Sequence, residues 1–157
     1  KDFWEYDPTF NTWTRKADFG GMTMARAVGF SIDNKGYIGT GAGVFSSYKD
    51  FWEYDPTNDT WTRKADFGGT QRSNTIGFSI GTKGYIGTGY GYKKDFWEYD
   101  PFINTWKRRA DFGGTPRNGA VGFSIGKKGY VGTGTDKAKK ANNLGHTNTK
   151  DFWEYSP

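Results

Sequence analysis

The sequence contains four near-copies of one string, Lys-Asp-Phe-Trp-Glu-Tyr, which begin at Lys1, Lys49, Lys94 and Lys150. Between these copies further segments recur in the same order, so the chain is built from one repeated unit. Repeats of about 40–50 residues are typical of propellers and solenoids, in which each unit forms one supersecondary element. Fold and function must therefore be inferred from the unit and from the places where its copies differ.

Each unit contains four short runs of strand-forming residues, which we call strands A to D in chain order. In one unit these strands are predicted at 27–32, 36–41, 50–55 and 60–66, with apolar and small residues alternating along strand A. Tight turns rich in glycine and asparagine join A to B at 33–36, 81–84 and 126–129, and Asp55-Pro56 opens the turn from C to D. The pattern predicts an all-β chain of antiparallel four-stranded sheets.

The composition restricts both the core and the chemistry. With 13 Phe, 10 Tyr and 7 Trp but a single leucine, Leu144, aromatic burial must supply most of the apolar stabilisation. The absence of cysteine excludes disulfides, thiolate catalysis and cysteine-ligated metals. A net charge of +5, from 22 basic and 17 acidic residues that are interleaved, does not indicate a nucleic-acid partner. No stretch approaches the roughly 20 apolar residues of a membrane span.

Three recurrent features resemble the kelch repeat of β-propellers: a glycine-rich end to strand B, Tyr-Asp-Pro at the end of strand C, and Thr-Trp at the start of strand D. One departure is a Gly-Thr-Gly sequence at 39–41, 87–89 and 132–134, where the family has adjacent glycines. The sequences of the repeats are most similar to those of secreted bacterial kelch proteins. This resemblance implies one four-stranded blade per unit, with strand A lining a central channel, and an extracellular or cell-surface location.

The units do not fill the chain evenly. The pattern gives a partial blade at 1–20, complete blades at 21–67 and 68–112, and a partial blade at 113–157. A closed propeller needs at least about four blades. Two interpretations remain open: a homodimer of half-propellers that closes a six-bladed ring, or a fragment of a longer propeller. In the dimer, the C strands at 2–7 and 151–156 compete for one position, and the candidate interface residues are Trp4, Trp13, Phe152 and Trp153.

The connections from D to A and from B to C lie on one edge of the predicted ring, which we call the loop rim. Its B-to-C loops, at 42–49, 90–94 and 135–150, differ in length, as binding loops on a rigid scaffold usually do. The candidate ligand-binding aromatics in these loops are Phe45, Tyr48, Tyr90 and Tyr92, which either stack on a ligand or cover the edge of strand B. The longest loop also carries Lys137, Lys139, Lys140 and His146, with a solvated loop as the alternative.

Three arginines, Arg26, Arg72 and Arg117, precede strand A near the mouth of the predicted channel. Such a ring would suit a carboxylate, sulfate or phosphate ligand through bidentate hydrogen bonds. Alternatively, each arginine pairs with an acidic side chain or caps carbonyl groups of the adjacent blade, since repeated residues are usually architectural.

Recurrent carboxylates argue against a catalytic pair, because a catalytic site needs special placement only once. We expect each strand C glutamate to pair across the sheet with the arginine of strand D. The residues concerned are Glu5, Glu53, Glu98 and Glu154, with Arg15, Arg63 and Arg108; Asp18, Asp66 and Asp111 also recur. The sequence predicts no catalytic residue, cofactor or metal site, and the kelch-bladed copper-radical oxidases need a cysteine and several histidines that are absent here.

The function predicted from the sequence is non-enzymatic binding or scaffolding, in which the loop rim recognises a glycan or a protein partner. Two alternatives remain. The first is a sugar-processing enzyme resembling kelch-fold mutarotases, with arginine and glutamate at the channel. The second is a purely structural, self-assembling fragment of a larger propeller.

Overall fold

The computed structural model describes residues 1–137 and 145–157, and every regular element within them is a short β-strand. The predicted all-β class is therefore confirmed for the described residues. Within the same residues, no helix is found that could cross a membrane.

The strands follow the predicted A-to-D order closely, starting with strands C and D of a first, incomplete unit. Their bounds are β1 Phe3–Asp7, β2 Thr12–Lys16, β3 Val28–Ile32, β4 Lys35–Gly39, β5 Phe51–Asp55, β6 Thr60–Arg63, β7 Ile76–Ile80, β8 Lys83–Gly87, β9 Phe96–Asp100, β10 Thr105–Arg109, β11 Arg117–Asn118, β12 Val121–Ile125, β13 Lys128–Gly132, β14 Thr135–Lys137, β15 His146–Asn148 and β16 Phe152–Tyr155. The predicted strand D was too long, because the pairing of β6 ends at Arg63.

These strands form small antiparallel sheets. An N-terminal hairpin contains β1 and β2, the first sheet contains β3 to β6, and the second sheet contains β7 to β10. Within the described residues the third sheet has three strands, in the order β12, β13, β16, and lacks the fourth strand of its neighbours. A separate rim sheet joins β14 and β15 of the longest loop to β11, which precedes strand A of the third sheet.

The turns show why the repeat folds in this register. The first residue of each A-to-B turn takes a positive φ, 51° at Asp33, 55° at Gly81 and 58° at Gly126. The sequence had suggested that a glycine or an asparagine takes the positive φ, but in the first sheet the residue that does so is Asp33. The C-to-D turn is closed as predicted, since Asp55 Oδ1 accepts a 2.9 Å hydrogen bond from the Thr57 amide.

The core lies between successive sheets, where a strand A phenylalanine packs on a glycine of the next sheet. Phe30 covers Gly84, where an added Cβ would stand only 2.4 Å from its ring, and Phe78 covers Gly129 in the same way at 2.3 Å. No side chain fits beneath either ring. At the equivalent Gly36 of the first sheet, the nearest atom to an added Cβ is the Tyr54 Cβ at 3.6 Å, so this glycine has room.

The N-terminal hairpin takes the position of the outer half of a sheet. Its Phe3 ring lies 4.8 Å from Tyr54 and 5.0 Å from Trp61, centroid to centroid. Between the first and second sheets, Phe51 makes the same contacts, 4.8 Å from Tyr99 and 5.0 Å from Trp106. The hairpin therefore stands to the first sheet as β5 and β6 stand to the second.

Both ends of the chain expose large apolar side chains. On the N-terminal hairpin these are Trp4, Tyr6, Phe10 and Trp13, and on the third sheet Val121, Phe123, Ile125, Phe152 and Trp153. All four candidate interface residues lie in these two exposed sets. Their equivalents inside the molecule, such as Ile76 and Phe78, are buried by the neighbouring sheet.

Candidate functional site

The second sheet holds Arg72 in its interior rather than at an open channel mouth. The side chain is 1% exposed, and its guanidinium binds Asp95 through two hydrogen bonds, NH1 to Oδ1 at 2.6 Å and NH2 to Oδ2 at 2.7 Å. The other donors reach the Thr88 carbonyl and the carbonyl and hydroxyl of Thr70. The guanidinium also lies 5.1 Å above the Phe67 ring. All five N–H donors of Arg72 are thereby used within the chain.

The third sheet repeats this arrangement at Arg117. Its side chain is fully buried and binds Asp151 at 2.8 Å and 2.7 Å, with further bonds to Thr115, Thr133 and Thr149. The guanidinium lies 4.6 Å above the Phe112 ring. Anion binding by Arg72 and Arg117 is therefore contradicted, because neither guanidinium has an N–H left for a ligand. The architectural alternative describes both residues.

The pKa values of the two partner carboxyls reflect these pairs. Burial raises the pKa of Asp95, but hydrogen bonds from Arg72 and Trp97 outweigh that effect and leave the pKa lowered overall. The Arg117 guanidinium lowers the pKa of Asp151 strongly against a smaller opposing effect of burial. Both aspartates therefore stay ionised at neutral pH and hold their arginines as ion pairs.

Arg26 does not occupy the same position as the other two arginines. Its φ of 58° matches 53° at Asn74 and 65° at Gly119, and its carbonyl accepts the Asn74 amide just as the Asn74 carbonyl accepts that of Gly119. The residue equivalent to Arg72 is Met24, whose Sδ lies 3.1 Å from an added Cβ at Gly41, as Arg72 Cδ lies 3.3 Å from one at Gly89. The predicted ring of arginines is therefore wrong by two positions in the first unit.

Because Met24 stands where Arg72 stands in the second sheet, the equivalent of Asp95 in the first sheet, Asp50, has no arginine opposite it. Asp50 Oδ2 accepts a 3.1 Å hydrogen bond from the Trp52 indole, as Asp95 Oδ2 does from Trp97 at 2.8 Å. Asp50 Oδ1, however, is buried and has no hydrogen-bond partner among the described residues. The spacing from the Phe-Gly-Gly segments to Met24, Arg72 and Arg117 is the same in all three units, and this signal would have identified the substitution from sequence.

The exposed Arg26 instead lines an open cavity of about 460 Å³ on the loop rim, between the connections of the first and second sheets. Two of the predicted aromatic residues line it as well: Phe45, which is 98% exposed, and Tyr90, which is 61% exposed. Polar groups come from Ser46, Ser47, Gln71 and Ser73. The structure thus brings three of the candidate ligand-binding residues together, and the last four are additions that sequence reasoning missed.

The remaining candidate loop residues lie elsewhere. Tyr48 lines a neighbouring groove that also contains Asp50 and Arg63. Tyr92 stacks on His146 at a centroid distance of 5.4 Å and is hydrogen-bonded to its Nδ1, while Lys137 Nζ lies 5.6 Å above the Tyr92 ring. Lys139 and Lys140 lie outside the described residues. The cavity at Arg26 is therefore separate from the Tyr92 cluster.

The expected pairing of the strand C glutamates with Arg15, Arg63 and Arg108 is wrong by one residue. Glu5 lies opposite Thr14, whereas Arg15 lies opposite Trp4, so the glutamate and the arginine face opposite sides of the sheet. The glutamates pair with the next residue along, giving Glu5 with Lys16 at 3.5 Å, Glu53 with Lys64 at 3.4 Å and Glu98 with Arg109 at 2.7 Å. Glu154 pairs instead with Lys128 at 2.5 Å.

The arginines of strand D bind the recurrent aspartates three residues later. Arg15 meets Asp18, Arg63 meets Asp66 and Arg108 meets Asp111, each at 2.8 Å and each on the surface. Among the glutamates, Glu98 is the most enclosed: burial raises its pKa, but hydrogen bonds from Arg109 and Tyr85 outweigh burial and lower it overall. A carboxyl held ionised in this way is suited to joining strands, not to donating a proton.

The chain matches no protein-family model and no curated protein sequence. Among solved structures, the structure of YjhT aligns with it at a TM-score of 0.72 and 18% identity. The alignment covers 78% of this chain and 48% of that one, so this chain spans about half the length of its structural neighbour. At this identity the likeness concerns the fold alone, and it is consistent with a β-propeller-like arrangement of the small sheets.

Proposed function

We propose that this chain is a kelch-type half-propeller that works as a non-enzymatic binding scaffold. A second copy closes the ring to six blades, and the loop rim holds a glycan or a protein partner. The observation that carries the proposal is the pair of exposed aromatic ends, each of which repeats a surface that is buried between sheets elsewhere in the chain. By resemblance to secreted bacterial kelch proteins, we place the scaffold outside the cell or at its surface.

The two ends are complementary halves of one sheet. The third sheet supplies strands A and B, and the N-terminal hairpin supplies strands C and D. Ile125 is 64% exposed at the end of the chain, whereas its equivalents Ile32 and Ile80 are 2% and 8% exposed. Contiguous apolar surfaces of this kind mark association sites. In a symmetric pair, the third sheet of each copy would be covered by the N-terminal hairpin of the other, which gives two equivalent seams. A half-ring also accords with a chain that spans 48% of its structural neighbour.

The open cavity at Arg26 is the best supported ligand site on the loop rim. Phe45 and Tyr90 offer aromatic faces on which the apolar side of a sugar ring can stack, and the serines and Gln71 offer hydrogen bonds to hydroxyl groups. The exposed guanidinium of Arg26 adds a bidentate partner for a carboxylate. These chemistries together favour an acidic glycan over a neutral one.

The test is a calorimetric titration of glucuronic acid and glucose, and of oligosaccharides that contain them, into the purified chain. We expect the acidic sugars to bind more tightly and Arg26→Gln to weaken them by about tenfold, the loss of one charged hydrogen-bonded pair. Phe45→Ala should weaken acidic and neutral sugars alike.

The matched control is Arg15→Gln, which removes another exposed guanidinium, one that does not line the cavity. Equal affinity for acidic and neutral sugars, or an equal effect of Arg15→Gln and Arg26→Gln, would withdraw the cavity as the ligand site. Turnover of a sugar isomer by the wild-type chain would replace the binding scaffold with a sugar-processing enzyme.

A further inference from the structure

A cavity of about 360 Å³ lies beside the third sheet, lined by Phe96, Ala110 and Phe112 together with residues of β16. In the other sheets the equivalent place is filled by the tryptophan of strand D. Trp106 lies 5.0 Å from Phe51 and 5.2 Å from Phe67.

Trp61 sits in the same way on the first sheet, 5.0 Å from both Phe3 and Phe19. In the part of the chain that the structure describes, the third sheet has no fourth strand, so Phe96 and Phe112 are the same pair of rings without a strand D tryptophan between them.

The backbone of an alanine completes each filled site. The Trp61 indole donates to the Ala17 carbonyl and the Trp106 indole to the Ala65 carbonyl, both at 3.1 Å. The amides of the same alanines donate to Asp59 and Asn104, both at 2.9 Å. Ala110 stands at this position beside the third sheet, so the cavity has a polar edge as well as apolar walls.

One tryptophan of the chain has the strand D position and no such site. Trp13 lies on β2 and is 64% exposed. It is preceded by Asn11, whose φ of 52° matches 51° at Asp59 and 52° at Asn104, so the turn that delivers the alanine contact is already formed. The hairpin packs through Phe3 on the first sheet, at the other end of the chain from the cavity. A second copy can bring Trp13 to the cavity.

We propose that the N-terminal hairpin of a second copy docks on the third sheet, where Trp13 fills the cavity between Phe96 and Phe112 and β1 takes the place of β16. This inference rests on the proposed closure of the ring by a second copy. It adds two points to that proposal: Trp13 in the cavity is the contact that joins the two copies, and β16 is the strand that is displaced.

The exchange follows from two features of the strands. The sequence Asp-Phe-Trp-Glu-Tyr occurs at both Asp2 and Asp151, so either strand can pair with β13 in the same register. β1 carries β2 with it through the hairpin and completes four strands, whereas β16 is held by one neighbour only. In the exchanged sheet Arg117 binds Asp2 of the second copy. Asp2 already accepts the Trp4 indole at 2.9 Å, as Asp151 accepts Trp153.

Sedimentation equilibrium of the wild-type chain and two hairpin variants tests the docking. We expect a dimer at micromolar concentration that Trp13→Ala weakens by about 30-fold or more, as for a central interface tryptophan. Phe10→Ala, on the same hairpin and 75% exposed, should change the affinity by less than about threefold. Circular dichroism should show both variants folded, because both side chains are exposed in one copy.

A second pair of variants tests the exchange. Asp2→Asn should weaken the dimer by about tenfold, because it removes the partner of a buried guanidinium. Asp151→Asn should leave the dimer as tight or make it tighter, because it weakens the competing strand. The reverse order would overturn the exchange. A dimer unaffected by Trp13→Ala would overturn the docking while leaving ring closure intact, whereas a wild-type monomer would overturn the proposed closure itself.

Discussion

The first and second sheets share a strand order and a register, yet they differ at one buried contact. In the second sheet Arg72 binds Asp95 through two hydrogen bonds, and in the first sheet Met24 stands opposite Asp50 with no donor to offer. The neighbouring structure is the same in both, including the tryptophan that follows the aspartate. The molecule therefore contains its own control for the contribution of a buried ion pair.

The comparison teaches that one aspartate serves two partners. One carboxylate oxygen orients the indole of Trp52 or Trp97, and this ring lies against Gly20 or Gly68, where an added Cβ would come within 2.8 Å and 2.6 Å of it. Where an arginine is present it binds both oxygens, so Asp95 Oδ2 accepts from the indole and from Arg72, whereas Oδ1 accepts from Arg72. Without an arginine, Asp50 keeps one of the two roles that Asp95 has, the orientation of the indole.

The largest effect is expected for Arg72→Met, which places a methionine opposite Asp95 in the second sheet, as Met24 stands opposite Asp50 in the first. We expect a loss of about 3–5 kcal/mol in the free energy of unfolding, because Asp95 is left partly buried without its counter-charge. Urea denaturation at pH 7 measures the change. Arg117→Met should cost less, since the Asp151 side chain is 40% exposed and keeps part of its hydration. A loss below that of Arg117→Met would contradict the assignment.

The reverse substitution, Met24→Arg, should build the missing pair in the first sheet. We expect a gain of about 1 kcal/mol, because the new guanidinium satisfies Asp50 Oδ1 but gives up some side-chain freedom. Thermal and urea unfolding both report it, with Met24→Leu as the control that changes the side chain without adding a donor. A destabilised Met24→Arg variant would mean that the first sheet has repacked around methionine and no longer has the geometry of the second.

The smallest effect is expected at Asp50 itself. Asp50→Asn keeps an oxygen for the Trp52 indole and should change the free energy of unfolding by less than about 0.5 kcal/mol. Asp95→Asn should be far more costly, because Arg72 is then buried without a full counter-charge. Equal effects of the two substitutions in parallel urea titrations would show that Arg72 contributes no more than Met24 does.

Much of this fold could be predicted from the repeat, because strand periodicity and turn chemistry are local. The Asp55 turn and the antiparallel order of β3 to β6 needed only neighbouring residues. One error came from a relation between units and the other from a relation between two strands of one unit. Matching Arg26 to Arg72 ignored the fixed distance from the Phe-Gly-Gly segment, and pairing Glu5 with Arg15 ignored the alternation of side chains across the two faces of a sheet.

The candidate sites were harder to predict, because they depend on which loops the sheets bring together. The cavity that joins Arg26, Phe45 and Tyr90 draws on residues from two units. The exposed Trp13 follows a threonine, as the half-buried Trp61 and Trp106 do. Trp61 and Trp106 each pack between two phenylalanines of the preceding unit, whereas Trp13 belongs to the first unit.

Gly36 differs from its equivalents Gly84 and Gly129 in having free space above its backbone. Glycine is obligatory at 84 and 129, where a phenylalanine ring presses on the backbone, but at position 36 an added methyl group would touch nothing closer than the Tyr54 Cβ at 3.6 Å. Glycine loses more conformational freedom on folding than alanine does, and the space around Gly36 does not require it. In the proposed ring, this room on the uncovered side of the first sheet is where the Phe123 ring of a second copy would lie, as Phe30 lies on Gly84 and Phe78 on Gly129.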